Sequence, residues 1–141
     1  MTTRSLLNRL FKTASIHSYF KRFEAQMQSS TFVEHLHELC AAKNCKPAHV
    51  ILKSGLYRTL GHQLFNGFRK PTRDKVIQLA FGFELDYAQS QQLLKKAKKS
   101  LLCPRIKRDA LIIFTISRRH TFLETQDMLH EQGLPLLGER K

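Results

Sequence analysis

Apolar residues recur along this chain at three- and four-residue spacings, with no convincing stretch of strand-like alternation, so the pattern predicts helices almost throughout. Near the start, Leu6, Leu7, Leu10, Phe11 and Ala14 form one amphipathic stripe, and Tyr19, Phe20 and Phe23 continue it more weakly. A helix is predicted from Thr31 to Lys43, with Thr31 and Glu34 as a capping box and Phe32, Leu36, Leu39 and Cys40 on the buried face. Pro47 suits the first turn of the next helix, which carries Val50, Ile51 and Leu52 and ends at Gly55. A short helix then runs from Arg58 to Phe65, with Leu56, Leu60 and Leu64 four apart, until Asn66-Gly67 stops it. Thr72 caps a helix containing Val76, Ile77, Leu79 and Ala80, and Asp86 with Gln89 caps another through Leu93, Leu94 and Ala97. Pro104 opens a helix with Ile106, Ala110, Ile113 and Phe114 on one face, and Thr121 with Glu124 caps the last, ended by Gly133 and Pro135. The fold class is therefore all-α, and the pattern shows neither a low-complexity tract nor an internal repeat.

With 141 residues, the chain is expected to form one domain or a small bundle with an appendage. A chain of this size buries about 68% of its unfolded surface and needs neither metal nor disulfide to fold. Its three cysteines, Cys40, Cys45 and Cys103, are too few for a disulfide scaffold and suit a reducing compartment. The longest apolar run, Ala110 to Ile116, falls far short of the ~18–20 residues that span a bilayer, which argues against an integral membrane protein.

Charge changes this picture most. There are 24 Lys and Arg residues against 11 Asp and Glu, a formal net charge of +13, which favours an anionic partner, nucleic acid or a membrane surface. From Leu39 through Arg73 there is no acidic residue, while Lys43, Lys46, Lys53, Arg58, Arg69, Lys70 and Arg73 are all present. A segment apolar enough to fold yet free of carboxylates suits a surface that meets phosphates. Lys95, Lys96, Lys98 and Lys99 form a second cluster, which reads as a solvated helix end with cations near the negative dipole. Residues 1–23 hold five basic residues and no acid, so this stretch reads as a structural helix or arm, a targeting peptide or a membrane-surface helix.

Other chemistry is sparse. His35, His37, Cys40, Cys45 and His49 fit no tight zinc-ligand pairing, and a helix turns His35 and His37 to different faces. Cys40 is expected to be a buried small hydrophobe and the histidines surface residues; no metal or cofactor is expected. There is no Gly-rich phosphate loop and carboxylates are few, so the chain does not read as an enzyme.

Two short helices joined by a tight Gly turn within an acid-free segment have the form of a helix-turn-helix. The residues Leu52-Lys53-Ser54-Gly55-Leu56, Leu64-Phe65-Asn66-Gly67-Phe68-Arg69-Lys70-Pro71 and Lys75-Val76-Ile77-Gln78-Leu79-Ala80 resemble the lambda-repressor-like (Cro/repressor, XRE-type) DNA-binding family over about Phe32 to Leu85. The resemblance implies a five-helix domain over 31–99 whose third helix, 58–65, enters the major groove. It implies base-reading positions at Arg58, Thr59, His62 and Gln63, and phosphate-contacting or supporting positions at Lys46, Tyr57, Asn66, Arg69, Lys70 and Arg73. Two departures stand out. Gly61 replaces the family's aliphatic residue and Ile51 its small one, which suggests a swap that keeps one small residue where the two helices cross. Phe65 replaces a common Glu and, with Tyr57 and Phe68, forms an aromatic group expected to be core or a protein-binding surface.

Residues 1–30 are expected to form the basic helix or arm. Residues 100–141 are expected to form a helical hairpin, 105–118 and 122–132, that packs on the domain or makes a homodimer. The expectation is a cytoplasmic, nucleoid-associated regulator that binds double-stranded DNA by sequence. The alternative is a protein-interaction module, antitoxin-like or inhibitor-like, on a helix-turn-helix scaffold that has lost specific DNA binding.

Overall fold

Short polar side chains set four of the helix starts. The computed structural model describes residues 3–12, 16 and 31–138, and among these there are eight helices and no strand. They are α1 (Thr3–Phe11), α2 (Phe32–Lys43), α3 (Pro47–Ser54), α4 (Arg58–Phe65), α5 (Arg73–Gly82), α6 (Tyr87–Lys96), α7 (Lys107–Ser117) and α8 (Phe122–Glu131). Asp86–Gln89 and Thr121–Glu124 form complete capping boxes on α6 and α8. Thr31 and Thr72 accept from the backbone N–H of Glu34 and Lys75 at the starts of α2 and α5.

The chain divides into two units, 1–30 and 31–141. In the first, Leu7 and Phe11 of α1 are exposed. The Leu6 side chain and the expected positions Ala14, Tyr19, Phe20 and Phe23 lie outside the described residues.

Helices α2 to α8 share one core. It centres on α5, where every residue from Val76 to Gly82 is buried, so this helix has no solvated face there. Glycines set how closely its neighbours approach. A Cβ on Gly82 would overlap the Ser54 hydroxyl and the Val50 carbonyl of α3. Gly55 ends α3 at φ +72° and leaves room for the Phe122 ring. The expected swap position is tight as well: a Cβ on Gly61 would stand 2.5 Å from Cγ2 and 2.6 Å from Cγ1 of Ile51.

Some expected faces differ. Leu52 is exposed, because α3 turns Val50, Ile51 and Ser54 inward instead. His35 is buried rather than at the surface. In α7 the inward residues are Asp109, Ile112, Thr115 and Ile116, while Ile106 and Phe114 are exposed. The physical reason is Asp109: its carboxylate has ion-pair and backbone partners inside the fold, and this sets the rotation of the helix.

Those partners expose an internal repeat that the hydrophobic pattern conceals. Arg73 donates to both carboxylate oxygens of Asp109, at 3.1 and 2.8 Å, and Arg108 donates to both of Asp74, at 2.9 and 3.0 Å. Each arginine also holds carbonyls of the loop that ends its own unit: Ser100 and Leu101 for Arg73, Pro135 and Leu136 for Arg108. Gln91 exchanges two hydrogen bonds with the Leu102 backbone, and Gln126 does the same with Leu137. Arg73 and Arg108 lie 35 residues apart, and each of these features matches its counterpart at that spacing. So do the left-handed residues Glu84 and Arg119, and Lys98 and Gly133. Residues 72–103 and 107–138 are thus two copies of a helix–turn–capped-helix–loop unit, α5–α6 and α7–α8. They pair reciprocally, each aspartate held by the other unit, as at a two-fold interface.

Candidate nucleic-acid interface

The acid-free segment builds α3, α4 and the loop to α5. Helix α4 is anchored along one side. Gly61, Leu64 and Phe65 are buried, and the His37 ring meets Phe65 twice, with Nε2 2.8 Å from its carbonyl oxygen and the two rings edge-on at 5.8 Å. The helical period then sends Arg58, Thr59 and His62 to solvent, with Gln63 half-buried beside them. After the helix, Asn66 Oδ1 accepts from Phe68 N at 2.9 Å and Gly67 takes φ +80°. This Asx turn fixes the loop that presents Arg69 and Lys70, both exposed.

The starts of α3 and α4 differ from those of the capped helices. Their preceding residues, Lys46 and Tyr57, make no side-chain cap, and neither first turn contains an acid. Helices α2, α5, α6 and α8 all receive a Thr or Asp oxygen at that place. The first N–H groups of α4 therefore combine an uncapped positive dipole end with neighbouring cations, whereas α3 begins with Pro47, which has no N–H, and its His49 N–H bonds the Lys46 carbonyl at 3.0 Å.

The cations divide into two classes. Lys53 bonds Glu84 at 2.8 Å, and that hydrogen bond, with the lysine charge, holds the Glu84 carboxyl below its usual range. Arg73, expected at a phosphate-contacting or supporting position, has its fork filled by Asp109, Ser100 and Leu101. Lys43, Lys46, Arg58, Arg69 and Lys70 are in no ion pair among the described residues.

No family model, curated protein or solved structure matches this chain.

Arg58, Thr59, His62 and Gln63 share α4, Tyr57 and Asn66 stand at its two ends, and Lys46 opens α3. The expected aromatic group does not hold together. Phe65 is core, tilted against Phe83 at 6.1 Å, whereas Tyr57 is 86% exposed and Phe68 81%. The uncapped start of α4 is a feature the motif reading missed, although Tyr57, where α2, α5, α6 and α8 have Thr or Asp, was a visible signal. Among the described residues no cluster of three or more His, Cys, Asp or Glu could hold a metal, and no helix is long and apolar enough to cross a membrane.

Proposed function

We propose that this chain is a sequence-specific double-stranded DNA-binding protein and transcriptional regulator. In this reading α3 and α4 form a lambda-repressor-like helix-turn-helix, and α4 enters the major groove. The observation that carries it is the outward face of α4, polar and cationic, set in a segment without one carboxylate. Arg58 reads guanine through two donors, Gln63 reads adenine, and Thr59 and His62 contact neighbouring base edges. Lys46, Arg69 and Lys70, with the open N-terminus of α4, bind phosphates and set the register; Tyr57 and Asn66 support both ends of the reading helix. A dimer through the α7–α8 hairpin, whose surface shows Ile106 and Phe114, would place two copies of α4 on half-sites one helical turn apart.

Selection from a randomised duplex pool, followed by anisotropy at two salt concentrations, tests the reading. The expected result is an enriched palindromic site whose affinity falls with salt at a slope near −0.9 per phosphate neutralised. Arg58→Ala should cost ~1–3 kcal/mol on that site and relax its sequence preference, whereas Lys70→Ala should weaken all sequences about equally. Binding that selection does not improve would refute sequence reading. The exposure of Tyr57 and Phe68 favours a second reading, a protein-binding face at the same place. Under it, Tyr57→Ala and Phe68→Ala abolish partner capture while pool selection yields nothing.

A further inference from the structure

A cavity of about 470 Å³ opens where the ends of α3 and α5 face the α7–α8 turn. This size lies within the usual range for small-ligand sites. Leu52, Phe81, Leu85, Ile116, Phe122 and Leu123 give it apolar walls. Leu52 is 80% exposed and Leu123 71%, so apolar surface continues out to the mouth.

The cavity lies on the seam between the two repeat units. Phe81 and Ile116, Glu84 and Arg119, and Leu85 and His120 are equivalent positions in the repeat, and all six line it. Glu84 and Arg119 share a left-handed backbone, with φ of 56° and 61°, but carry opposite charges. Lys53 neutralises Glu84 at 2.8 Å. Arg119 is exposed and in no ion pair among the described residues, but its charge also acts on Glu84, so Lys53, Glu84 and Arg119 together leave the rim with a net single positive charge.

We propose that this cavity binds a small, mainly apolar carboxylate. Its body lies against Phe81, Ile116 and Phe122, and its single charge meets Arg119. A neutral ligand leaves the rim cation unmatched, and a cation is repelled by it. A multiply charged anion finds too few partners there.

Titration calorimetry on the full chain, without DNA, uses three probes of one shape: 2-naphthylacetate, its amide and 2-(2-naphthyl)ethylammonium. The acid should bind saturably at one site, the amide roughly tenfold more weakly, and the ammonium not measurably. Arg119→Gln should bring the acid down to the affinity of the amide. Arg105→Gln removes the same charge from an exposed position that does not line the cavity, and should leave all three unchanged. A thermal melt of each variant checks that it is folded. No saturable binding of the acid overturns the site. Equal affinities for acid and amide, or equal losses in the two variants, overturn carboxylate recognition at Arg119. None of these readouts depends on whether α4 contacts DNA.

Discussion

Replacing Gly61 by alanine tests how closely α3 and α4 cross. Alanine favours a helix over glycine by ~1 kcal/mol, so an open site would gain stability. Here the new Cβ would stand 2.5 and 2.6 Å from Cγ2 and Cγ1 of Ile51, where ordinary contact begins at 3.4 Å. Both carbons branch from the Ile51 Cβ, so one rotamer change cannot withdraw both, and Ile51 is only 3% exposed. Overpacking of this kind costs ~1–3 kcal/mol, and the net change is a loss of about 1 kcal/mol. Ile51→Ala alone should cost ~2–5 kcal/mol by opening a cavity. With Ile51 already shortened, the alanine methyl enters vacated space and the helix gain remains. Gly61→Ala should therefore destabilise the native background and stabilise the Ile51→Ala background, with a coupling of about 2 kcal/mol. Urea unfolding of the four proteins, followed by circular dichroism, measures the cycle. Additivity within ~0.5 kcal/mol, or the same sign in both backgrounds, would refute the close crossing.

Two further outcomes follow from titrating groups. Burial alone would raise the Asp74 carboxyl, but hydrogen bonds from Arg108 and the Gly138 N–H, with the Arg108 and Arg73 charges, hold it below its usual range. A carboxyl lowered by folding stabilises above its unfolded pKa of ~3.9 and loses that contribution as pH falls through the folded value. Melting temperature should therefore drop below about pH 4, and Asp74→Asn should flatten part of that fall. At neutral pH Asp74→Asn should cost at most the ~3–5 kcal/mol of a fully buried pair, since Asp74 keeps 24% exposure. Burial, then Cys45, pushes the Cys40 thiol up to about 11. Thiolate at pH 8 is then about one part in a thousand, so iodoacetamide should leave Cys40 unlabelled in the native protein and label it on unfolding, as read by mass spectrometry.

Helix positions were legible because their signals are local. Thr72, Asp86 and Thr121 announce their helices by what they offer the next backbone N–H groups, and Pro47 and Gly55 bracket α3 by backbone preference. The rotation of α7 was not legible, because it depends on Asp109 meeting Arg73 from a helix 36 residues earlier. Hydrophobicity counts such an aspartate as a surface residue. The repeat escaped for a related reason: its shared residues, Arg-Asp, Gln and Leu-Leu, are mostly hydrogen-bonding groups and loop positions rather than an apolar stripe. Phe65 and Phe68, three apart, look alike in sequence, yet the Asn66–Gly67 turn between them sends one inward and the other to solvent. In the candidate interface, Arg58 and Arg73 are both cations of an acid-free stretch. Partners supplied by α7 and by the loop after α6 separate them.

The reciprocal pairing of the two units also bears on how the chain is made. When residues 72–103 leave the ribosome, Arg73 can find its own loop carbonyls, but Asp74 has neither Arg108 nor the Gly138 N–H. At ~5–20 residues per second, the matching residues of the second unit follow about 2–7 s later. For that interval the nascent first unit holds a carboxylate without its partners and a Cys103 N–H without the Asp109 carboxylate. A chaperone, or the ribosome surface itself, would meet the protein in this half-closed form.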